Sequence, residues 1–192
     1  MNKLRSFLTV VFAALVLMPG YVSADEFTDA AKVFKDSPAV VPFFEKSHGY
    51  AIFPTIGKGG IGIGGAHGKG MVYVGGKPTG KTSMTQVTVG FQFGGQAFSQ
   101  IIFFEDKRSY DEFTSGNFEF GAGASAVAIT AGAQAQTGST GSAASASPGG
   151  TAGSQAETSF HKGMAIFTRA KGGLMYEAAI GGQKFSFEPI GE

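Results

Sequence analysis

Beyond residue 24 the chain opens on an apolar stripe of helical spacing, and alternation of period two follows it almost to the end. Phe27, Ala30, Ala31 and Phe34 recur at i, i+3, i+4 and i+7, while Asp29, Lys32 and Lys35 lie off that stripe. This predicts an amphipathic helix within residues 25–47. Asp25 suits its start and Ser37-Pro38 its stop. Pro42 then fits the first turn of a second short helix, running to Ser47 with Gly49 behind it.

Residues 50–130 read as β structure. Tyr50 to Phe53 is a short apolar strand, and Ile61, Ile63 and Met71 to Val74 follow between glycines. Met84 to Val89 and Phe91 to Phe93 alternate, and Ile101 to Phe104 is apolar throughout. Lys107 to Thr114 suits one or two helical turns with Tyr110 and Phe113 inward. Phe118 and Phe120 resume the alternation, and Ala122, Ala124, Ala126 and Ala128 continue it with small residues that admit close packing. Thr137 to Ala156 contains only Gly, Ala, Ser, Thr, Gln and one Pro, without charge or large apolar groups. It reads as a flexible loop, because it has nothing to bury against the cost of ordering. The β pattern returns in Met164 to Phe167, Leu174 to Ile180 and Lys184 to Phe187. One internal echo stands out: Gly49 to Phe53 resembles Gly163 to Phe167, and each is followed by Lys-Gly-Gly, which suggests a strand–turn–strand pseudo-repeat.

The first 24 residues read as an address. Lys3 and Arg5 precede the apolar run Phe7 to Met18, Pro19-Gly20 breaks it, and Val22-Ser23-Ala24 supplies small residues for a cut after Ala24. This is the layout of a secretory signal peptide, too short an apolar run to span a bilayer comfortably. Its removal leaves residues 25–192 as a single domain with 13 basic and 14 acidic residues. The predicted location is the periplasm or cell envelope, or outside the cell. The chain has no Cys, which excludes disulfides and cysteine chemistry. Its formal net charge of +1 argues against a nucleic-acid partner. Its 31 Gly residues point to tight turns and close backbone approaches.

Two nucleotide motifs occur, and neither carries its chemistry. Gly75-Gly76-Lys77-Pro78-Thr79-Gly80-Lys81-Thr82 matches the phosphate-binding loop letter for letter, and Gly57, Gly59 and Gly62 match a dinucleotide fingerprint. Both motifs work only ahead of a helix whose N–H groups hold the phosphates. Here Ser83 to Phe93 reads as a strand, so the first motif is a hairpin connection and no nucleotide is expected. His48, His67 and His161 are scattered, with no helix-spaced pair for a metal. The acids Glu105-Asp106 and Asp111-Glu112 flank Lys107 and Arg108 as a solvated charged turn, and no serine-hydrolase elbow exists. No cofactor, metal or catalytic residue is expected, and an enzyme using His48 or His67 ranks last.

What remains is a binding surface. Lys58, Lys69, Lys77, Lys81, Lys162, Arg169 and Lys171 lie near Gly-rich turns, where backbone N–H groups can join a Lys in holding an anion. The Phe stripe of the first helix, flanked by Lys32 and Lys35, suits either a membrane surface or packing on the sheet. The candidate lipid-binding residues are Phe27, Lys32, Phe34, Lys35, Lys58, Lys69 and Lys171.

The run Pro42 to Ile63, with its helix, its apolar strand ending in Pro54 and its Lys58-Gly59-Gly60, resembles the opening of a SYLF domain. Gly90 to Gln96, Ile101 to Phe104, Phe118 to Ala126 and Lys171 to Leu174 are similar to later parts of that family, so that the likeness covers about residues 26–187. Members are described as lipid-binding modules, phosphoinositide- or actin-engaging in eukaryotes and typically exported in bacteria. The resemblance implies an α+β fold of short N-terminal helices on a curved or barrel-like, mainly antiparallel sheet. It also implies non-enzymatic phospholipid binding, with an anionic phospholipid or membrane surface as the partner. The alternatives are a structural or protein-interaction module of the envelope, with a protein partner or a homo-oligomer, and an outer-membrane barrel.

Overall fold

The computed structural model describes residues 24–90, 96–121, 124, 127–128, 160–171 and 180–191. The expected signal peptide, Phe91 to Phe93, the Thr137–Ala156 loop and Leu174 lie outside these. Two helices open the fold, α1 (Ala24–Lys35) and α2 (Val41–Lys46). In α1, Asp25 and Glu26 sit in the first turn and Lys32 and Lys35 in the last, each sign opposing the helix dipole at its end. Pro42 stands in the first turn of α2, where its missing N–H costs nothing. The strands are β1 (Gly49–Val74), β2 (Lys77–Gly90), β3 (Gln96–Phe104), β4 (Phe118–Glu119), β5 (Val127–Ala128), β6 (Met164–Lys171) and β7 (Lys184–Pro189). Helix α3 (Lys107–Phe113) lies between β3 and β4.

These strands form one curled seven-stranded sheet in the order β4-β7-β2-β1-β3-β6-β5. Neighbours are antiparallel except β5 and β6, which run parallel. The α+β expectation therefore holds.

β1 organises the curl. The separate apolar pieces read from the sequence are a single strand of 26 residues, which would span about 85 Å if straight. It does not stay straight. Its first half pairs with β3 and its second half with β2, and the rings of Tyr50 and Tyr73 near its two ends stack at 5.2 Å. The glycines that interrupt its pattern allow one half to lie against the other. A Cβ on Gly70 would come within 2.6 Å of the Phe53 ring, and one on Gly68 within 2.6 Å of Ile56. Gly75 and Gly76, both with positive φ, form the turn into β2, the backbone that a two-residue hairpin requires. The phosphate-loop motif is thus a hairpin turn followed by a strand.

Strand pleating gives two clusters. Ala51, Phe53, Ile56, Val72, Met84, Ile102, Phe104 and Phe185 fill the inside of the curl, joined by Phe113 of α3. Ile52, Ile101, Phe103 and Phe167 face outward beneath Phe27 and Phe34 of α1 and Phe43 of α2. The sequence echo straddles these clusters. Its two strands both flank β3, but Ile52 and Phe167, not Ile52 and Ile166, lie opposite Ile101. This one-residue offset sends Phe53 inward and its echo Phe167 outward. The echo is therefore not a structural repeat.

Candidate functional site

A cleft lies where α1 crosses β1 at Pro54, β3 at Ser99 and the end of β6, and Pro54 builds it. In the β1–β3 register Phe53 faces Gln100 and Ile56 faces Phe98, so Pro54 and Thr55 together oppose the single residue Ser99. This is a β-bulge, a place where a strand tolerates a proline without an N–H. The extra residue turns Thr55 to the outer face. Its Oγ1 accepts from Lys171 Nζ of β6 at 2.8 Å and donates to Glu26 Oε1 of α1 at 3.3 Å. One hydroxyl thus ties three elements together.

The cleft encloses about 520 Å³, within the usual range for small-ligand sites. Glu26, Asp29, Ala30 and Val33 line it from one face of α1, and Pro54, Ser99, Arg169, Ala170 and Lys171 line it from the sheet. Arg169 and Lys171 are two apart on β6, so they share a face with Ser99, which pairs with Arg169. Two cations therefore face two carboxylates. Among the described residues, Arg169 and Lys171 make no direct ion pair with either acid, and Asp29 is paired instead with Lys32 at 3.1 Å.

Near the other end of α1 an aromatic patch reaches the surface. Lys35 Nζ stands 4.9 Å above the Phe44 ring. Phe44 meets Tyr50 edge-on at 5.3 Å, and Tyr50 stacks on Tyr73. All three rings are half-buried, and Val41 at the start of α2 is 39 % exposed. Burial raises the ionisation of both tyrosine hydroxyls above its ordinary value, and for Tyr50 the neighbouring Tyr73 adds to the shift.

The seven sequence-predicted residues do not form one surface. Phe27 and Phe34 are 4 % and 1 % exposed and pack on the sheet, where burial of each is worth about 1.5–3 kcal/mol over exposure to water. Lys32 and Lys35 are exposed on the last turn of α1. Lys171 borders the cleft. Lys58 pairs with Gln96 on the inner face, the face of Ile56, and Lys69 stands opposite Ser83 on the outer face of β1–β2 and lines neither α1 site. Residues that sequence reading did not single out for a site are Glu26, Asp29, Thr55, Phe44, Tyr50 and Tyr73. Arg169 was visible only as one scattered cation among seven. Their one local signal is Pro54, a proline inside an apolar strand, which marks a bulge.

The histidines stay apart. His48 packs its ring on Tyr110, and His67 shares a hydrogen bond with Thr85. Among the described residues no group of three or more metal-ligating side chains forms, and no helix is long and apolar enough to cross a membrane.

A model of the Ysc84 family, described as Las17-binding protein actin regulator, matches residues 85–187. The chain belongs to this family. Ysc84 is the SYLF domain, generally a non-catalytic binding domain. The match begins within β2, so α1, α2, all of β1 and the first residues of β2 precede it. The cleft therefore combines matched residues of β3 and β6 with chain outside the matched segment, whereas the aromatic patch lies wholly ahead of that segment. Beta cell expansion factor A of Aeromonas veronii is 27 % identical over 161 residues, 82 % of this chain. The aligned region is 52 % of that protein, so the chain spans about half the length of its relative.

Proposed function

We propose that this Ysc84-family chain is an exported, non-enzymatic module that associates peripherally with phospholipid surfaces. The observation that carries the reading is the aromatic patch under Lys35. Half-buried tyrosines present an apolar body with a polar tip, which suits the depth of lipid headgroups. A lysine near an anionic surface contributes about 1 kcal/mol, and Lys32 and Lys35 are exposed beside the patch. With Phe27 and Phe34 committed to the sheet, membrane contact in this conformation falls to the cations and the Phe44–Tyr50–Tyr73 rings rather than to the apolar stripe of α1. Export rests on the leader-like residues 1–24; cleavage after Ala24 would leave Asp25 and Glu26 in the first turn of α1.

The test is co-sedimentation of the chain with phosphatidylglycerol-containing and pure phosphatidylcholine vesicles at low and high salt. Salt-sensitive binding to the anionic vesicles is expected. The double variant Lys32→Glu/Lys35→Glu should bind them at least about tenfold more weakly. Binding indifferent to both lysines sinks the reading. A second reading, a protein-interaction module, draws support from the family's description as a Las17-binding regulator. A stable oligomer or partner complex without vesicle affinity would favour it.

A further inference from the structure

The cleft at the start of α1 differs in kind from the aromatic patch. Its walls carry two charges of each sign with no direct ion pair between the walls: Lys171 and Glu26 meet only through the Thr55 hydroxyl, and Asp29 pairs with Lys32 of its own helix. A simple anion placed on Arg169 and Lys171 would face Glu26 and Asp29 across the same cleft. A simple cation would meet the converse problem. A small ligand carrying both signs satisfies both walls at once.

Hydrogen-bonding capacity remains on each wall. Lys171 has three donors and shows one hydrogen bond, to Thr55. The Arg169 guanidinium makes no hydrogen bond or ion pair among the described residues. Asp29 meets Lys32 through Oδ1, leaving Oδ2, and Glu26 accepts only the Thr55 hydroxyl through Oε1. Two cations on one wall suit a phosphate, which offers oxygens to both, better than a carboxylate, which one arginine fork can satisfy alone. The opposite wall selects the amine. It has carboxylates that accept N–H bonds and no aromatic ring, whereas quaternary ammonium groups are held by aromatic faces. Ala30, Val33, Pro54 and Ala170 supply an apolar floor for the carbon linker.

We propose that the cleft between α1 and β6 binds a phosphate-bearing primary amine, a phosphoethanolamine group, with its phosphate on Arg169 and Lys171 and its ammonium on Glu26 and Asp29. This deepens the lipid reading above and is tested separately from it, because the ligand carries both signs whereas the patch is read through the Lys32 and Lys35 dependence of binding to anionic vesicles. The group can arrive on a lipid or as a free molecule.

The experiment uses the full chain and the variants Arg169→Gln and Asp29→Asn, which leave the Thr55 tether intact; their thermal midpoints are checked against the parent. Binding is measured to vesicles of phosphatidylcholine alone and with phosphatidylethanolamine, and by calorimetry to soluble phosphoethanolamine, phosphocholine and inorganic phosphate. The expected result is a preference for phosphatidylethanolamine vesicles and for soluble phosphoethanolamine, weakened about tenfold or more by either variant. Binding of soluble phosphoethanolamine without any vesicle binding would uphold the cleft, assign it a free ligand and sink the membrane reading. Equal affinity for phosphocholine overturns the primary amine. Tighter phosphate binding in Asp29→Asn, with phosphoethanolamine not preferred, marks a plain anion site and overturns the proposal. So does phosphoethanolamine binding that neither variant changes, or none at all. Anionic-vesicle binding that depends on Lys32 and Lys35 would leave the lipid reading standing in each of those cases.

Discussion

The two faces of the sheet are filled by different means. The inner cluster is closed by the strands themselves: β1 doubles over, Phe53 meets Phe185 of β7 at 5.6 Å, and α3 adds Phe113. The outer cluster is closed by two short helices that precede the sheet, with Phe27, Phe34 and Phe43 resting on Ile52, Ile101, Phe103 and Phe167. Both faces are rich in phenylalanine, so composition does not separate them. Connectivity does. The inner face cannot open without breaking the β1 curl, whereas the outer face loses only α1 and α2 if its cover lifts.

The largest effects should expose that difference. Phe53→Ala removes a wholly buried ring from the curl and should cost about 3–5 kcal/mol, read as a lower midpoint of a single cooperative denaturation. Phe34→Ala removes an equally buried ring from the cover. Its cost should fall at or below the low end of that range, and hydrogen exchange should quicken in α1 while β3 and β6 stay protected. Uniform acceleration over sheet and helix would show the two faces to be one cooperative unit. Gly70→Ala comes next. Its Cβ would meet the Phe53 ring and Thr82, neither of which has room to move, and overpacking of this kind costs about 1–3 kcal/mol. The same change at Gly75, in the exposed turn, acts through positive φ alone and tests whether β1 glycines serve packing more than turning.

The sequence showed the faces unequally. The helix stripe was plain because Phe27 to Phe34 are neighbours one and two turns apart. The continuity of β1 was hidden because Pro54 and the glycines look like breaks, and only the folded strand shows Gly68 and Gly70 to be points of contact. The cleft was harder still. Glu26, Thr55 and Lys171 are joined by a bulge and by the adjacency of β1, β3 and β6, and no local pattern encodes that adjacency. Tyr50 and Tyr73 meet for the same reason. The hairpin at Gly75-Gly76 was legible because its reading depended on what followed, an alternating strand, and not on the motif.

Inside the curl, polarity offers a finer probe. Gln100 and Gln183, both wholly buried, exchange reciprocal amide hydrogen bonds of 2.9 and 3.2 Å. Gln183→Leu alone strands the Gln100 amide in an apolar surround and should cost about 1–3 kcal/mol. The double change to Leu should recover most of it, since neither amide is then left without a partner. A double variant as unstable as the sum of the singles would mean that the two amides are not coupled and each contributes independently, and denaturant midpoints across the four proteins decide it.

The smallest effects lie at the limits of pH, and they should divide by face. Asp106 caps α3 by accepting the Ser109 N–H at 2.8 Å, and that backbone bond, then the Ser109 hydroxyl, Arg108 and His48, hold its carboxyl below the ordinary value of 3.8. A lowered folded value means that its stabilisation is complete above about pH 4 and fades as pH falls through the folded value. The loss should appear first in α3, over the inner cluster. Tyr50 and Tyr73 shift the other way: their raised values leave stability untouched below pH 10 and erode it as pH climbs through them, because the unfolded phenols ionise first. That loss belongs to the outer cover. Acid should therefore quicken exchange in α3 before α2, and alkali in α2 before α3. The variant Asp106→Asn should abolish the acid order and leave the alkaline order intact. If both limits loosen both helices together, the sheet does not insulate one cover from the other, and the separation of the two faces fails at its weakest test.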